Sequence, residues 1–530
     1  MQPPTTTEGV QSIADLVEMR LQVEARALGL LPGDDQPAGP TKPEKDPAPS
    51  AFVWSCLECN ELGDGLLFAA LHRERFVQDV TAGQWLAWAG HFWERDLASK
   101  SLAAVEAVAM RYVREMEGID RQLAGSSDEG LIAALGAKRN RLARRVDKLR
   151  SVKGRLNCLA FASTLPEGAL VVTGEKLDAD PWLLGCANGV VHLRTGHFRH
   201  GRPDDWITKA APAEWQSFDT PAPTWERFLL EIMDGDEEMV AYLRRLFGYA
   251  VSGSVREHAF VVFHGTGRNG KGVLVETLQR VLGPLAAPIP PEMLLDQGRV
   301  RNSAGPSPDI KSLQGLRLAF AAETDQGRRF SAGAVKRLSG GDSLSARNPH
   351  DRAQSTFQPS HLLILATNFR PKANADDPAF WARMHLVDFP LSFVERPAAP
   401  NERPVDRTLE EKLLAEGPGI LAWLVRGCLE WQQVGLRPPK KILEATAQYR
   451  RSEDDLADWL EEKCIEAEGA TVTAKAAYAS FKEWFAATIS DKVPSQKRWG
   501  EMMSRRFQKE KGGTDNTVRY LGLELRSNFV

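Results

Sequence analysis

Residues 265–272 read Gly265-Thr266-Gly267-Arg268-Asn269-Gly270-Lys271-Gly272, and the fold follows from how this stretch is interpreted. It is preceded by an apolar run, HAFVVFH (258–264). It leads into GVLVETLQRVLG (272–283), whose apolar residues recur at helical spacing. A glycine-rich turn between a buried strand and a helix is the setting of a phosphate-binding loop. Glycines let successive backbone N–H groups converge on phosphate oxygens, and the helix N-terminus favours negative charge there. Lys271 is then placed to reach the β- and γ-phosphates of a nucleotide. The whole octet is therefore a candidate ATP contact. One position departs from the pattern: Gly272 stands where Ser or Thr would offer a hydroxyl to Mg²⁺, a role that water or a downstream acid can fill. The competing interpretation is a glycine-rich turn with no ligand.

Two further apolar runs lie downstream, LRLAFAAE (316–323) and HLLILATN (361–368). Buried strands separated by helical or irregular segments predict an α/β layer around a parallel sheet. The first run delivers Glu323, with Asp325 two residues on and facing the same side, as acids for metal or for the attacking water. The second ends at Asn368, a neutral amide able to hold water or the γ-phosphate. In DPAFWARMHLVDFP (377–390), Arg383 comes after these strands and cannot easily reach its own phosphates. It is expected to act on a neighbour's nucleotide, which implies a ring of subunits. Between the two runs, Ser343–Arg347 and Gln354–Phe357 look like hairpin arms. Arg347, His350 and Arg352 would surround its tip and follow a phosphate backbone.

The chain has 530 residues, with 67 Lys+Arg against 70 Asp+Glu and a formal charge of −3. Hydrophobic residues at 43% and charged residues at 26% exclude a wholly disordered or fibrous chain. No apolar run approaches the roughly 20 residues of a membrane span. The first residues are not a secretory signal, and six scattered cysteines form no disulfide framework, so a cytoplasmic protein is expected. The predicted organisation is a flexible segment over 1–50 with a short helix near Val10–Leu28, then a mixed α+β domain over 51–215. A helical connector (216–252), the ATPase core (253–395), a helical segment (396–465) and a helix–helix–strand tail (466–530) follow.

In order, GTGRNGKG, LRLAFAAETDQGRRF, KRLSGGDSLSAR, LLILATNFRP and FWARMHLVDFP resemble the superfamily 3 helicases. The likeness is to the helicase half of phage, plasmid and poxvirus-type primase–helicases, from about Leu66 to the C-terminus. It includes LDADPWLLGCANGVVHLRTGHFR upstream and EGPGILAWLVRGCLEWQQVGL downstream. The resemblance implies an AAA+-like P-loop core and an ATP- and Mg²⁺-dependent hexameric ring. Such a ring translocates on single-stranded DNA and unwinds forked DNA during replication of a phage or mobile element. Lys271 becomes the phosphate lysine, Glu323 the metal or water acid, Asn368 the sensor and Arg383 the trans finger. Lys336 and Arg337 would meet a neighbour's nucleotide or DNA. The family often shows a basic pair where Ala382-Arg383 keeps only the second member. Only about 50 residues precede the matching region, so no priming is expected from this chain, and a separate primase or initiator is an implied partner. An ATP-dependent origin-binding or loading module is the alternative function, and a small-molecule kinase a third.

Weaker signals remain. Cys56-Leu57-Glu58-Cys59 is half a zinc site, more simply two reduced cysteines. A basic run from Lys138 to Arg155 is either a solvated helix face or a DNA collar. Trp85, Trp88 and Trp93 are expected in a core. The tail suits a small winged-helix-like module with Arg505, Arg506 and Lys509 turned to DNA phosphates.

Overall fold

The first described elements are two helices, α1 (Ser50–Glu58) and α2 (Asn60–His72). The computed structural model describes residues 48–298, 306–322, 326–349, 354–489, 493–512 and 517–526, so the expected helix at 10–28 lies outside them. Strands β1 (Phe76–Asp79), β2 (Gln84–Trp88) and β3 (Trp93–Arg95) come next, then α3 (Lys100–Ala124), α4 (Glu129–Arg150) and α5 (Val152–Ala162). A short β4 (Val171–Val172) completes a sheet of order β3-β2-β1-β4. The break between α3 and α4 is an N-cap: Asp128 accepts from the N–H groups of Gly130 and Leu131, and Ser151 starts α5 likewise through Gly154. Trp93 is buried, edge-on to Trp88 and stacked on Trp206, so this tryptophan is core.

The basic run on α4 and α5 is largely neutralised by neighbouring helices. Arg139 pairs with Asp120 at 2.6 Å, Arg141 with Glu58 at 2.7 Å and Lys148 with Glu61 at 2.7 Å. Arg150 and Arg155 share Glu106 at 2.8 and 3.1 Å. Lys138 lies over the Trp54 ring. Arg145 is buried against Asp64, its Nε donating at 2.8 Å. These cations hold α4 and α5 to α1, α2 and α3, which disfavours the DNA collar. Among the described residues no cluster of metal-ligating side chains forms, and Cys56 is buried while Cys59 is exposed.

A second small sheet follows, of order β7-β6-β5-β8, from β5 (Leu183–Cys186), β6 (Gly189–His192), β7 (His197–Arg199) and β8 (Ala210–Ala211). Helices α6 (Pro223–Ile232) and α7 (Glu237–Val251) then lead to the central sheet. Its elements are β9 (Phe260–His264), α8 (Lys271–Leu282), β10 (Ala286–Pro288), α9 (Pro308–Lys311), β11 (Leu318–Ala322) and α10 (Ala332–Leu338). A hairpin of β12 (Leu344–Ala346) and β13 (Ser355–Phe357) precedes β14 (Leu362–Thr367), α11 (Pro378–Trp381) and β15 (Met384–Asp388). The sheet is all parallel, ordered β10-β11-β14-β9-β15. The three apolar runs are its inner strands. The edge strands were not foreseen, because β10 has three residues ending in Pro288 and β15 mixes His385 and Asp388 with apolar neighbours.

Alternation along β9 sends Val261 and Phe263 into one core and Phe260 and Val262 into another. The first core is closed by α6, α7 and α8. It also takes in α13 (Gly417–Val434), which follows a parallel ribbon of β16 (Ser392–Val394) and β17 (Glu402–Pro404) and helix α12 (Leu409–Ala415). Stretch 216–252 is thus a packed layer of the core where a connector was expected. Helices α7 and α13 cross at glycines: a Cβ on Gly248 would stand 2.1 Å from Cys428 N. The second core is covered partly by α14 (Lys440–Ser452) through Tyr449.

The C-terminal unit is built from α15 (Asp455–Lys463), β18 (Cys464–Thr473), α16 (Ala474–Thr488), α17 (Gln496–Arg506), β19 (Lys509–Gly512) and β20 (Thr517–Leu525). Its core includes Leu456 and Trp459, so the unit begins ahead of the boundary expected at 466, and β18 was missed. That strand alternates exposed and part-buried residues and carries little apolar signal.

Removing Asp64 would strand a buried guanidinium. Asp64→Ala is expected to destabilise the N-terminal unit by about 3 kcal/mol, read as an earlier urea transition of its tryptophan fluorescence.

Candidate functional site

β14 and β9 are neighbours whose onward connections run to opposite ends of the sheet, the place where open α/β sheets receive ligands. The glycine-rich turn leaves the carboxyl end of β9 there. Gly267, Arg268 and Gly270 have φ of 101, 48 and 85°, a left-handed path that glycine tolerates best. A Cβ on Gly270 would stand 2.5 Å from Ile232 Cγ2, and one on Gly265 would stand 2.2 Å from Asn269 Nδ2. Helix α8 opens at Lys271 with no side-chain cap, leaving its first N–H groups turned to the cleft.

Lys271 is buried at 7% exposure. Its ammonium donates to Gly265 O at 2.8 Å, Asn269 Oδ1 at 3.1 Å and Asn368 Oδ1 at 3.2 Å. All three acceptors are neutral, and burial pushes the Lys271 pKa down to about 8. Asn269 is also buried, and its Nδ2 has no partner among the described residues. These groups border a cleft of about 350 Å³, whose far wall is Ala322, Ala366, Thr367 and Asn368. Desolvated positive charge, free helical N–H groups and an amide donor converge on it, an arrangement suited to a polyanion. Glu323 and Asp325 follow Ala322 in the chain but lie outside the described residues. Thr266 belongs to the turn, while Gly272 is exposed and faces open space: a Cβ there would meet only Glu276 Oε1, at 4.0 Å.

A second network at the same edge was not foreseen. His264, Thr367 and Asp388 share one register level on β9, β14 and β15. His264 Nδ1 is 2.8 Å from Asp388 Oδ1, and Arg370 donates to the same oxygen at 3.2 Å. Burial opposes the charge on Asp388, yet His264 and Arg370 hold its carboxyl below the usual range. Only pairing of β15 with β9 reveals this trio, and β15 was not read as a strand.

The loop after Asn368 is gripped from both sides. Tyr449 Oη donates to Pro371 O, Arg450 Nε to Ala375 O at 2.9 Å, and Glu453 accepts from Ala373 N at 2.7 Å. Arg505 donates to Asp376 O at 3.2 Å, while Arg506 pairs with Asp454 at 2.6 Å and lies 3.7 Å from Asp376. On the other side, Lys372 N donates to Arg328 O and Phe330 N to Lys372 O. Arg505 and Arg506 therefore help fasten the tail to the core, while Lys509 is exposed.

The other expected residues sit apart from this cleft. Arg383 precedes β15, its carbonyl accepting from Phe260 N and its guanidinium 3.4 Å from Ser339 Oγ. It occupies the amino-terminal edge of the sheet, roughly 17 Å along the strands from the turn. Lys336 is taken up by Asp377 at 2.8 Å, and Arg337 is exposed. Arg347 follows β12, half-buried, with its carbonyl accepting from Ser307 N. His350 and Arg352 lie outside the described residues, and the strands on either side pair Ala346 with Ser355.

Comparison with known proteins gives consistent relatives. Residues 65–234 match a family described as D5 N terminal like. A protein named "Putative helicase" of Acanthamoeba polyphaga mimivirus is 26% identical over 61% of this chain and 35% of its own length. A "Putative helicase" of Frog virus 3 is 25% identical over 59% and 40%, and a "Putative primase" of African swine fever virus 23% identical over 60% and 34%. The chain thus spans between a third and two-fifths of the length of these curated relatives. Among solved structures, the apo NrS-1 C-terminal region aligns with 91% of this chain and all of its own, at 10% identity and a TM-score of 0.43. The sequence matches relate the chain to viral primase–helicase proteins. Among the described residues no helix is long and apolar enough to cross a membrane.

Anion binding needs the charged form of Lys271, so affinity for inorganic tripolyphosphate should hold up to about pH 8 and then fall about tenfold per pH unit. Calorimetric titration across that range checks this. The extra loss should be absent from Lys271→Arg, whose side chain stays charged.

Proposed function

We propose that the chain is an ATP-dependent DNA helicase of superfamily 3, working as a homo-hexameric ring on single-stranded and forked DNA during replication. The observation that carries this is the cleft in which Lys271 meets Asn368 across adjacent strands. A motor has to join the nucleotide's phosphates to the strand that senses them, and these residues already span that gap. The names of the viral relatives point the same way. The mixed α/β architecture with its central parallel sheet also suits an AAA+-like P-loop core.

In this reading the turn Gly265–Gly270 and the start of α8 hold the β- and γ-phosphates, and Lys271 neutralises their charge. Asn368 orients the attacking water. Glu323 takes a proton from that water or holds the metal with Asp325. Hard oxygen donors suit Mg²⁺, and the Glu276 carboxylate over Gly272 is the downstream acid that stands in for the missing hydroxyl. Mg²⁺ held by these acids would supply positive charge against that developing on the phosphates. Arg383, at the opposite edge of the sheet, acts on a neighbouring subunit's nucleotide. Arg347, His350 and Arg352 on the β12–β13 hairpin follow the DNA backbone, with Arg337 beside a subunit boundary. Lys336 serves that boundary indirectly, by holding Asp377 at the start of α11.

Strand displacement on forked DNA tests the reading, with Lys271→Ala as the inactive control. ATP-dependent displacement by the wild type supports it. ATP-gated DNA binding without displacement marks an origin-binding or loading module instead. Mixing Arg383→Ala with Lys271→Ala subunits should restore part of the ATPase, since some interfaces regain an intact pair. No recovery in verified mixed rings removes Arg383 from the reaction.

A further inference from the structure

Two arginines and two tryptophans form a ladder where the small sheet β5–β8 meets α13. Trp182, just before β5, stacks on Trp431 of α13 with ring centres 6.4 Å apart and planes 18° from parallel. The Arg194 guanidinium lies 4.3 Å from the Trp182 ring, and that of Arg256 lies 4.3 Å from the Trp431 ring. These are the two shortest cation–π contacts among the described residues. Arg194 sits in the β6–β7 turn and Arg256 in the connection from α7 to β9. Neither belongs to the nucleotide cleft or to the β12–β13 hairpin.

The rings are anchored from beneath. Trp431 is fully buried, its Nε1 donates to Glu257 at 2.7 Å, and Tyr249 tilts against it at 4.9 Å. Trp182 N donates to Asp180 at 2.9 Å, and its carbonyl accepts from Leu193 N at 2.8 Å. Gln432 on α13 donates to Leu193 O at 2.8 Å, which fastens the sheet to the helix. Asp180 and Glu257 are thus turned to the tryptophans. Both arginines are exposed, and among the described residues neither guanidinium has a hydrogen-bond or ion-pair partner.

A phosphodiester strand fits this arrangement. Each guanidinium offers five N–H donors in a planar fork that matches phosphate oxygens. The ring beside it already fixes its plane, so less side-chain freedom is lost on binding. The contacts put the two charges at most about 15 Å apart, a span that about four nucleotides of a strand cover. Unpaired bases also stack on guanidinium planes, which favours a single strand over an acidic peptide. We infer that the ladder is a binding site for single-stranded nucleic acid, with Arg194 and Arg256 each taking a backbone phosphate. The site goes beyond the helicase reading and stands without it, because binding here requires no nucleotide.

Anisotropy of a labelled oligothymidine of about 20 nucleotides, titrated with the full chain at several salt concentrations without nucleotide, tests the site. Arg194→Gln with Arg256→Gln should weaken binding about tenfold and lower the slope of log Kd against log salt by about 1.4, the share of two phosphates. Arg194→Lys with Arg256→Lys keeps the charge and should restore the slope. Arg194→Gln alone changes one exposed turn and should lower the slope by about 0.7, which keeps the test open if the double variant fails to fold. Unchanged affinity and slope in a folded variant overturn the site. Equal competition by polyglutamate of matched charge also overturns it and marks the patch as a surface for acidic peptides. A wild type that binds no strand overturns it as well. Strand binding that follows these slopes without ATP-dependent displacement leaves the site standing while the helicase reading fails.

Discussion

Lys271 keeps its ammonium among three neutral oxygens, in a place that burial has dried. Desolvating a charge without a counter-charge costs several kcal/mol, and the surrounding structure sustains it. The turn must follow a left-handed path to aim the Gly265 carbonyl back at the ammonium. α6 must press on Gly270 to keep that path, and β14 must be the neighbour of β9 for Asn368 to arrive. Parallel strand order, glycine placement and the packing of α6 and α7 are thus conditions on one side chain. A polyanion placed in the cleft would relieve that cost.

How much of this was legible depends on where burial leaves a mark. The inner strands are covered on both faces and read as unbroken apolar runs. The edge strands β10 and β15 are not, and His385 and Asp388 hid the second. Asp128 and Ser151 mark the starts of α4 and α5, since each side chain caps the N–H groups of the turn that follows it. The glycine-rich turn was legible, since its residue types are dictated locally. The Asp388 network and the loop grip were not, because each joins residues that only the tertiary fold brings together.

Charge teaches a related lesson. A run of cations along α4 and α5 looks available in one dimension, yet Glu58, Glu61, Asp64, Glu106 and Asp120 lie on the helices that pack against it. Arg505 and Arg506 are likewise drawn to Asp376 and Asp454. Ion pairs within the fold take some of the 67 Lys and Arg side chains away from a partner, so the location of the others matters more than their number.

The grip on Pro371–Asp376 has a different consequence. Connections between strands usually accept insertions. The stretch after Asn368 does not. Its peptide groups are read off in sequence by Tyr449, Glu453, Arg450 and Arg505. One added residue would put every later group out of step, so this surface loop has a fixed length, measured out by α14 and α17.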